Sequence, residues 1–152
     1  MLGVCRRYID RYEEAEDVMI EGFFKIFSQL HQYTGAGNFE GWMRKIMVNE
    51  SLMHLRKAHA LKYASELSPN LPELEQFDIV GEIHVKEIMS LLDQLSVGYR
   101  TVFNLYVIEG YKHHEIATLL GISENTSKTQ LMMAKDRMRN LLQTKHNHYK
   151  PQ

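Results

Sequence analysis

His113–Met133 reads HHEIATLLGISENTSKTQLMM, and its spacing decides the fold of the second half of the chain. Ile116, Leu119 and Leu120 recur at three- and four-residue steps, which predicts a short amphipathic helix. Gly121-Ile122-Ser123 breaks that pattern. Glycine tolerates the positive φ of a tight turn, and serine is a strong N-cap for a following helix. Leu131, Ala134, Met138 and Leu141 resume the helical period, so a long helix is expected after Ser123. The small Ala117 on the inner face lets the two helices approach. A short helix, a tight turn and a longer helix make a helix-turn-helix, whose second helix enters the DNA major groove.

The outer face of that second helix begins at Ser123 and offers Asn125, Thr126, Lys128, Thr129, Gln130 and Met132. Amides pair with adenine edges, and lysine reaches guanine or phosphate. From Ile122 to Lys145, Lys128, Lys135, Arg137, Arg139 and Lys145 face only Glu124 and Asp136, an excess of positive charge that suits a polyanion. The plain alternative is a solvated helical face with ordinary lysines. The amides and hydroxyls gathered next to the cap favour DNA.

Outward from this motif the chain is helical. Val85, Ile88, Leu92 and Leu95 mark one helix; Tyr99, Val102, Phe103 and Tyr106 mark the next, closed by Gly110. With the two helices of the motif they give a four-helix unit. In the first half, Ala15, Val18, Met19, Gly22, Phe23, Ile26, Phe27 and Leu30 form one apolar face of a helix over about Tyr12–Gln32. Asp10 is the expected N-cap, and Glu13, Glu14, Glu16 and Asp17 crowd the first turns, where the helix dipole favours acids. Thr34-Gly35-Ala36-Gly37-Asn38 breaks this helix. Another follows to about Lys57, with Phe39, Trp42, Met43, Ile46 and Met53 on its apolar face.

Pro69 and Pro72 fall in SELSPNLPELEQF (Ser65–Phe77), an acidic stretch that reads as a linker. The expected organisation is all-α: a domain over 1–60, a linker over 61–80, a helix-turn-helix domain over 81–146 and a tail over 147–152. Two units this small each bury a thin core. Net charge is −1 in 152 residues, unlike a free-standing DNA binder, but residues 81–152 carry nine basic against seven acidic side chains. A single cysteine, Cys5, excludes an internal disulfide and points to a reducing, cytoplasmic setting. No apolar run is long enough to span a membrane, and no apolar stretch precedes Cys5 as a lipoprotein leader would require.

Catalytic chemistry has no footing here. His114-Glu115 opens like a zinc-protease motif, but Thr118 stands where the second histidine belongs. There is no Gly-rich phosphate loop, no nucleophile elbow and no paired catalytic carboxylates. Neither a metal nor an organic cofactor is expected, and the chain does not read as an enzyme.

These stretches together resemble the bacterial sigma factors of the primary-sigma superfamily, in the small extracytoplasmic-function group. The resemblance rests on YEEAEDVMIEGFFKIF (Tyr12–Phe27), FEGWMRKIMVN (Phe39–Asn49) and Leu55-Arg56-Lys57 for the family's second conserved region. It rests on LLDQLSVGYRTVFNLY (Leu91–Tyr106), GYKHHEIATLLGIS (Gly110–Ser123) and Thr126–Leu142 for its fourth. The resemblance implies a transcription initiation factor whose partners are core RNA polymerase, promoter DNA and an anti-sigma factor. Asp17 and Glu21 would dock on the clamp helices of the polymerase. Asn38, Phe39, Trp42, Lys45 and Asn49 would hold a flipped base of the melted minus-ten strand, Trp42 also packing in the core. The helix-turn-helix would read the minus-thirty-five element as duplex.

Three departures from the family stand out. Most of one helix that the family places before Leu2 is missing from the match, so the first helix looks truncated. Ser127 stands where a branched apolar residue is usual, and Gln130 and Met133 stand where arginines are common. Two other functions share parts of the pattern. A response-regulator output domain has a similar helix-turn-helix, but the first half lacks the alternating strands and helices of a receiver. An adaptor that binds only protein would tolerate the altered recognition face; promoter-dependent transcription separates it from a sigma factor.

Overall fold

The computed structural model describes residues 1–60 and 85–148; the linker expected over 61–80 and most of the tail lie outside them. The described residues are helical and contain no strand. In chain order they form α1 (Leu2–Arg6), α2 (Tyr12–Ser28), a 3₁₀ turn (Leu30–Gln32), α3 (Phe39–Ala60), α4 (Val85–Leu92), α5 (Val97–Phe103), a π turn (Asn104–Ile108), α6 (His113–Leu120) and α7 (Glu124–His148).

In the first half α2 and α3 pack along their length. Ala15, Val18, Gly22 and Ile26 are the buried residues of α2, and Ile46, Met47, Val48, Ser51 and Leu52 are the buried side of α3. Gly22 sets how closely the two approach: a Cβ there would lie 2.4 Å from Met47 Sδ. The short α1 still closes this core, because Val4, Cys5, Tyr8 and Ile9 are all buried. Burial also raises the Cys5 thiol and the Tyr8 phenol above their ordinary pKa values.

Several expectations from the sequence are corrected here. Asp10 does not cap α2; Arg11 occupies that position without a side-chain cap bond, because the Asp10 carboxylate pairs with Arg100 in the other half. The helix stops at Ser28 rather than Gln32. Phe27 and Leu30 point to solvent, being 73% and 47% exposed. The buried row steps through 18, 22 and 26, and each residue turns about 100° on a helix, so Phe27 falls off that row. On α3, Phe39 and Met53 are also exposed, and the helix runs on to Ala60.

In the second half α5, α6 and α7 surround Val102, Leu105, Ile116 and Leu131, while Leu92, Leu95 and Ala134 form a second cluster beside them. Tyr106, expected in the core, is exposed, and Leu105 takes its place. The backbone widens there: Glu109 N–H bonds to Asn104 C=O in a π turn, and Tyr111 N–H reaches back to Leu105 C=O across Gly110, at φ 77°.

The two halves also meet each other. Val102, Leu105 and Ile116 join the same apolar cluster as Val4, Tyr8 and Met47. Arg7 donates to Glu109 at 2.7 Å, Asn104 donates its amide to Arg7 C=O at 2.7 Å, and Arg56 donates to Leu119 C=O. The fully buried Arg100 pairs with Asp10.

Candidate nucleic-acid interfaces

The first surface lies where α3 begins. Asn38 caps that helix: its side-chain Oδ1 accepts from Glu40 N–H at 2.9 Å, and its carbonyl accepts from Trp42 N–H at 3.1 Å. Phe39 and Trp42 stack with ring centroids 5.7 Å apart and planes 20° from parallel. Tyr33 closes on both, edge-on to Phe39 at 5.0 Å and tilted to Trp42 at 5.5 Å. The Tyr33 hydroxyl donates to Gly37 C=O at 2.8 Å, which ties the preceding loop to this aromatic group. Asn38, Trp42, Lys45 and Asn49 follow at helical spacing along one side of α3, with Asn38, Lys45 and Asn49 exposed and Trp42 half-buried. A partly exposed aromatic cluster followed by a cation and an amide can stack a base, neutralise a phosphate and hydrogen-bond a base edge.

The second surface is the start of α7. Gly121 ends α6 at φ 68°, in the left-handed region, and Ile122 N–H closes back on Ala117 C=O at 3.1 Å. Ser123 then caps α7, its Oγ accepting from Thr126 N–H at 3.0 Å. At the start of α6, Lys112 N–H donates to the Glu115 carboxylate at 2.8 Å, the return half of a capping box. These terminal bonds fix the turn expected from the sequence. Ser123, Asn125, Thr126 and Lys128 are exposed at the open end of α7, and Thr129 and Met132 are half-buried behind them. Lys128 pairs with Glu124 at 2.9 Å, one turn back, which holds its ammonium over the first turn and lowers the Glu124 pKa. Gln130 is turned inward: its amide lies 3.7 Å from where a Cβ on Gly98 would sit, so it packs against α5. Ser127 is fully buried, and its Oγ meets His113 Nδ1 at 2.9 Å.

Both halves of this arrangement match known family models. Residues 1–60 match Sigma-70 region 2, and residues 86–138 match Sigma-70, region 4. The chain belongs to the sigma-70 family of RNA polymerase sigma factors. It is therefore a transcription initiation factor of the extracytoplasmic-function type and not an enzyme. It is 29% identical over 135 residues to "RNA polymerase sigma factor SigV" of Bacillus subtilis, covering 87% of this chain and 78% of that one. It is 25% identical over 155 residues to "RNA polymerase sigma-H factor" of Pseudomonas aeruginosa, covering 94% and 80%. Among solved structures, the sigma factor RpoE bound to the anti-sigma factor NepR from Bartonella quintana shares its fold, with a TM-score of 0.59 at 19% identity over 93% of this chain and 89% of that one. CnrH in complex with the cytosolic domain of CnrY is also similar, with a TM-score of 0.51 at 21% identity over 94% and 80%.

A third surface of this sigma factor was only half visible in its sequence. Asp17 and Glu21 are exposed on α2, as the resemblance implied. Between and beyond them lie Ile20, Phe24 and Phe27, which are 62%, 77% and 73% exposed. Large apolar side chains this open form a patch outside the core. The signal was present in the sequence: 20, 24 and 27 share one helical stripe with 17 and 21, opposite Val18, Gly22 and Ile26. No helix among the described residues is long and apolar enough to cross a membrane.

Proposed function

We propose that this sigma factor divides promoter recognition between its two halves, with core RNA polymerase docked on α2. In this reading Tyr33, Phe39 and Trp42 form the stacking platform for an extruded base of the melted minus-ten strand. Lys45 follows the backbone, and Asn49 reads a base edge. Ser123, Asn125, Thr126, Lys128, Thr129 and Met132 face the minus-thirty-five duplex. Gln130, packed on α5, acts on the backbone side or supports the helix. Asp17, Ile20, Glu21, Phe24 and Phe27 dock on the polymerase, acids flanking an aromatic centre as in a contact hot spot. The observation that carries this reading is the continuous row Asn38–Trp42–Lys45–Asn49, in which a half-buried aromatic, a cation and an amide lie along one helix face.

The boundaries 1–60, 61–80 and 81–146 then divide a strand-capturing unit, a connector and a duplex-reading unit. An anti-sigma factor as a regulatory partner is supported by the similar sigma factor RpoE, solved in complex with the anti-sigma factor NepR. Its place of action is the cytoplasm, where the polymerase works.

The test is in vitro transcription with core RNA polymerase, combined with potassium permanganate footprinting of the melted strand. Asn49→Ala should reduce promoter opening several-fold while leaving polymerase binding within two-fold. Lys128→Ala should reduce activity at a native promoter by about ten-fold, the worth of one good base contact. Absence of any promoter-dependent transcription would leave a protein-only adaptor as the better reading.

A further inference from the structure

The helix-turn-helix of this chain carries a polar joint between its two helices. Ser127 sits between exposed Thr126 and exposed Lys128, yet is itself fully buried. Its hydroxyl meets His113 Nδ1 at 2.9 Å, joining the second turn of α7 to the first residue of α6. The face of the His113 ring is stacked on Tyr106 of the π turn, with centroids 4.5 Å apart and planes 24° from parallel. Three successive elements of the domain are therefore keyed at one imidazole. Ile116 and Leu131 also lie in the apolar core between α6 and α7, and apolar packing is less directional than a hydrogen bond. A hydrogen bond of this length does carry direction and constrains the rotation of α7 about its own axis.

That rotation matters for DNA because Lys128 and Asn125 flank the joint. Their polar ends stand about 6 Å or more from the α7 axis, the radius of a helix with its side chains. A roll of about 10° at that radius moves them by about 1 Å, more than the whole range of a good hydrogen-bond length. We propose that His113, through its bond to Ser127, is a specificity-determining positioning residue for duplex readout, setting the roll of the recognition helix without touching DNA. The inference rests on the reading of α7 as the duplex-recognition helix.

The charged groups around the imidazole are Lys128, Lys135 and Glu124, all on α7, with the Tyr106 phenol ring beneath it. Desolvation first, and then Lys128, hold His113 below the ordinary histidine pKa, so the neutral ring is the form that pairs with Ser127 near neutral pH.

The experiment uses the full chain with core RNA polymerase and a promoter library randomised across the upstream element. Selected sequences are compared for wild type, Ser127→Ala, His113→Phe, His113→Asn and His113→Gln. Ser127→Ala deletes one atom and favours the helix, so it does not unfold the domain. His113→Phe keeps the stack but removes the hydrogen bond. Asparagine places a polar atom where Nδ1 stood, and glutamine places it where Nε2 stood. The expected result is that Ser127→Ala, His113→Phe and His113→Gln each lose about five-fold or more of the wild-type preference between upstream sequences. Polymerase binding should be unchanged, and His113→Asn should recover most of the preference. The inference is overturned if Ser127→Ala and His113→Phe keep the wild-type preference within two-fold, or if His113→Asn behaves as His113→Phe does. A wild-type chain with no upstream preference at all would instead refute duplex reading by α7, and the inference would fall with it.

Discussion

Asp10→Ala should destabilise this protein more than Arg100→Met, although Asp10 is largely exposed and Arg100 is fully buried. The Arg100 side chain is 1% exposed and lies where the two halves meet, with Asp10 as its ion-pair partner. Its other contacts are weaker: Asp93 is 3.8 Å away, and Tyr8 C=O accepts at 3.4 Å. Removing one partner of a buried ion pair costs about 3–5 kcal/mol, because the other charge is left desolvated. Asp10 keeps 60% of its side chain in water, and Asp93 partly replaces it, so a loss below that range, about 2 kcal/mol, is expected for Asp10→Ala. Arg100→Met removes the charge itself, keeps most of the aliphatic stem, and leaves Asp10 free to hydrate; about 1 kcal/mol or less is expected. Urea unfolding followed by circular dichroism measures both. For a chain of this size, about 2 kcal/mol corresponds to a fall of about 4–8 °C in melting temperature. The double variant should be no less stable than Asp10→Ala alone. The reverse order, with Arg100→Met the more damaging, would refute the view that the exposed carboxylate neutralises a buried cation.

Three further outcomes follow from individual contacts. Gly22→Ala gains about 1 kcal/mol of helix propensity, but its Cβ would overlap Met47 Sδ in a fully buried site, a clash of about 1–3 kcal/mol; a net loss near 1 kcal/mol is expected in the same urea titration. Phe24→Ser, at a position 77% exposed, should leave stability within about 0.5 kcal/mol while weakening core polymerase binding at least ten-fold in a fluorescence titration, and equal binding would remove α2 from the docking surface. Because desolvation and Lys128 depress the His113 pKa on folding, its neutral form contributes stability that is full above the unfolded value of 6.5 and is lost as pH falls through the lower folded value. Melting curves at about pH 7.5 and about pH 5.5 should therefore show a larger acid loss for wild type than for His113→Asn.

How much of this molecule was legible in its sequence depends on the range of the interaction that shapes each part. The helix-turn-helix was read nearly to the residue, since its determinants are local: Gly121 at positive φ, Ser123 on Thr126 N–H, and an apolar period over a few turns. The joint between Ser127 and His113 was not read from the sequence, where Ser127 stood out only as an unusual residue for its place; a hydrogen bond between two helices depends on how they pack. The exposed face of α2 was half read: counting apolar residues found the helix but placed Phe27 inside, where the finer 3.6-residue turn puts it outside. What periodicity could not give is the seam between the halves. Arg7, Asp10, Arg100, Asn104 and Glu109 look like surface residues in sequence, and their partners lie about ninety or more positions away. Buried polar atoms with no hydrogen-bond partner among the described residues also gather there: Arg7 Nε, Tyr8 Oη, Arg100 Nε and Asn104 Oδ1. Desolvating the buried Arg100 and the largely buried Arg7 offsets much of what their ion pairs return, so the seam stabilises less than its ion pairs suggest. Charged and amide groups demand particular partners at particular angles, so this seam defines how the halves align more strongly than it holds them together.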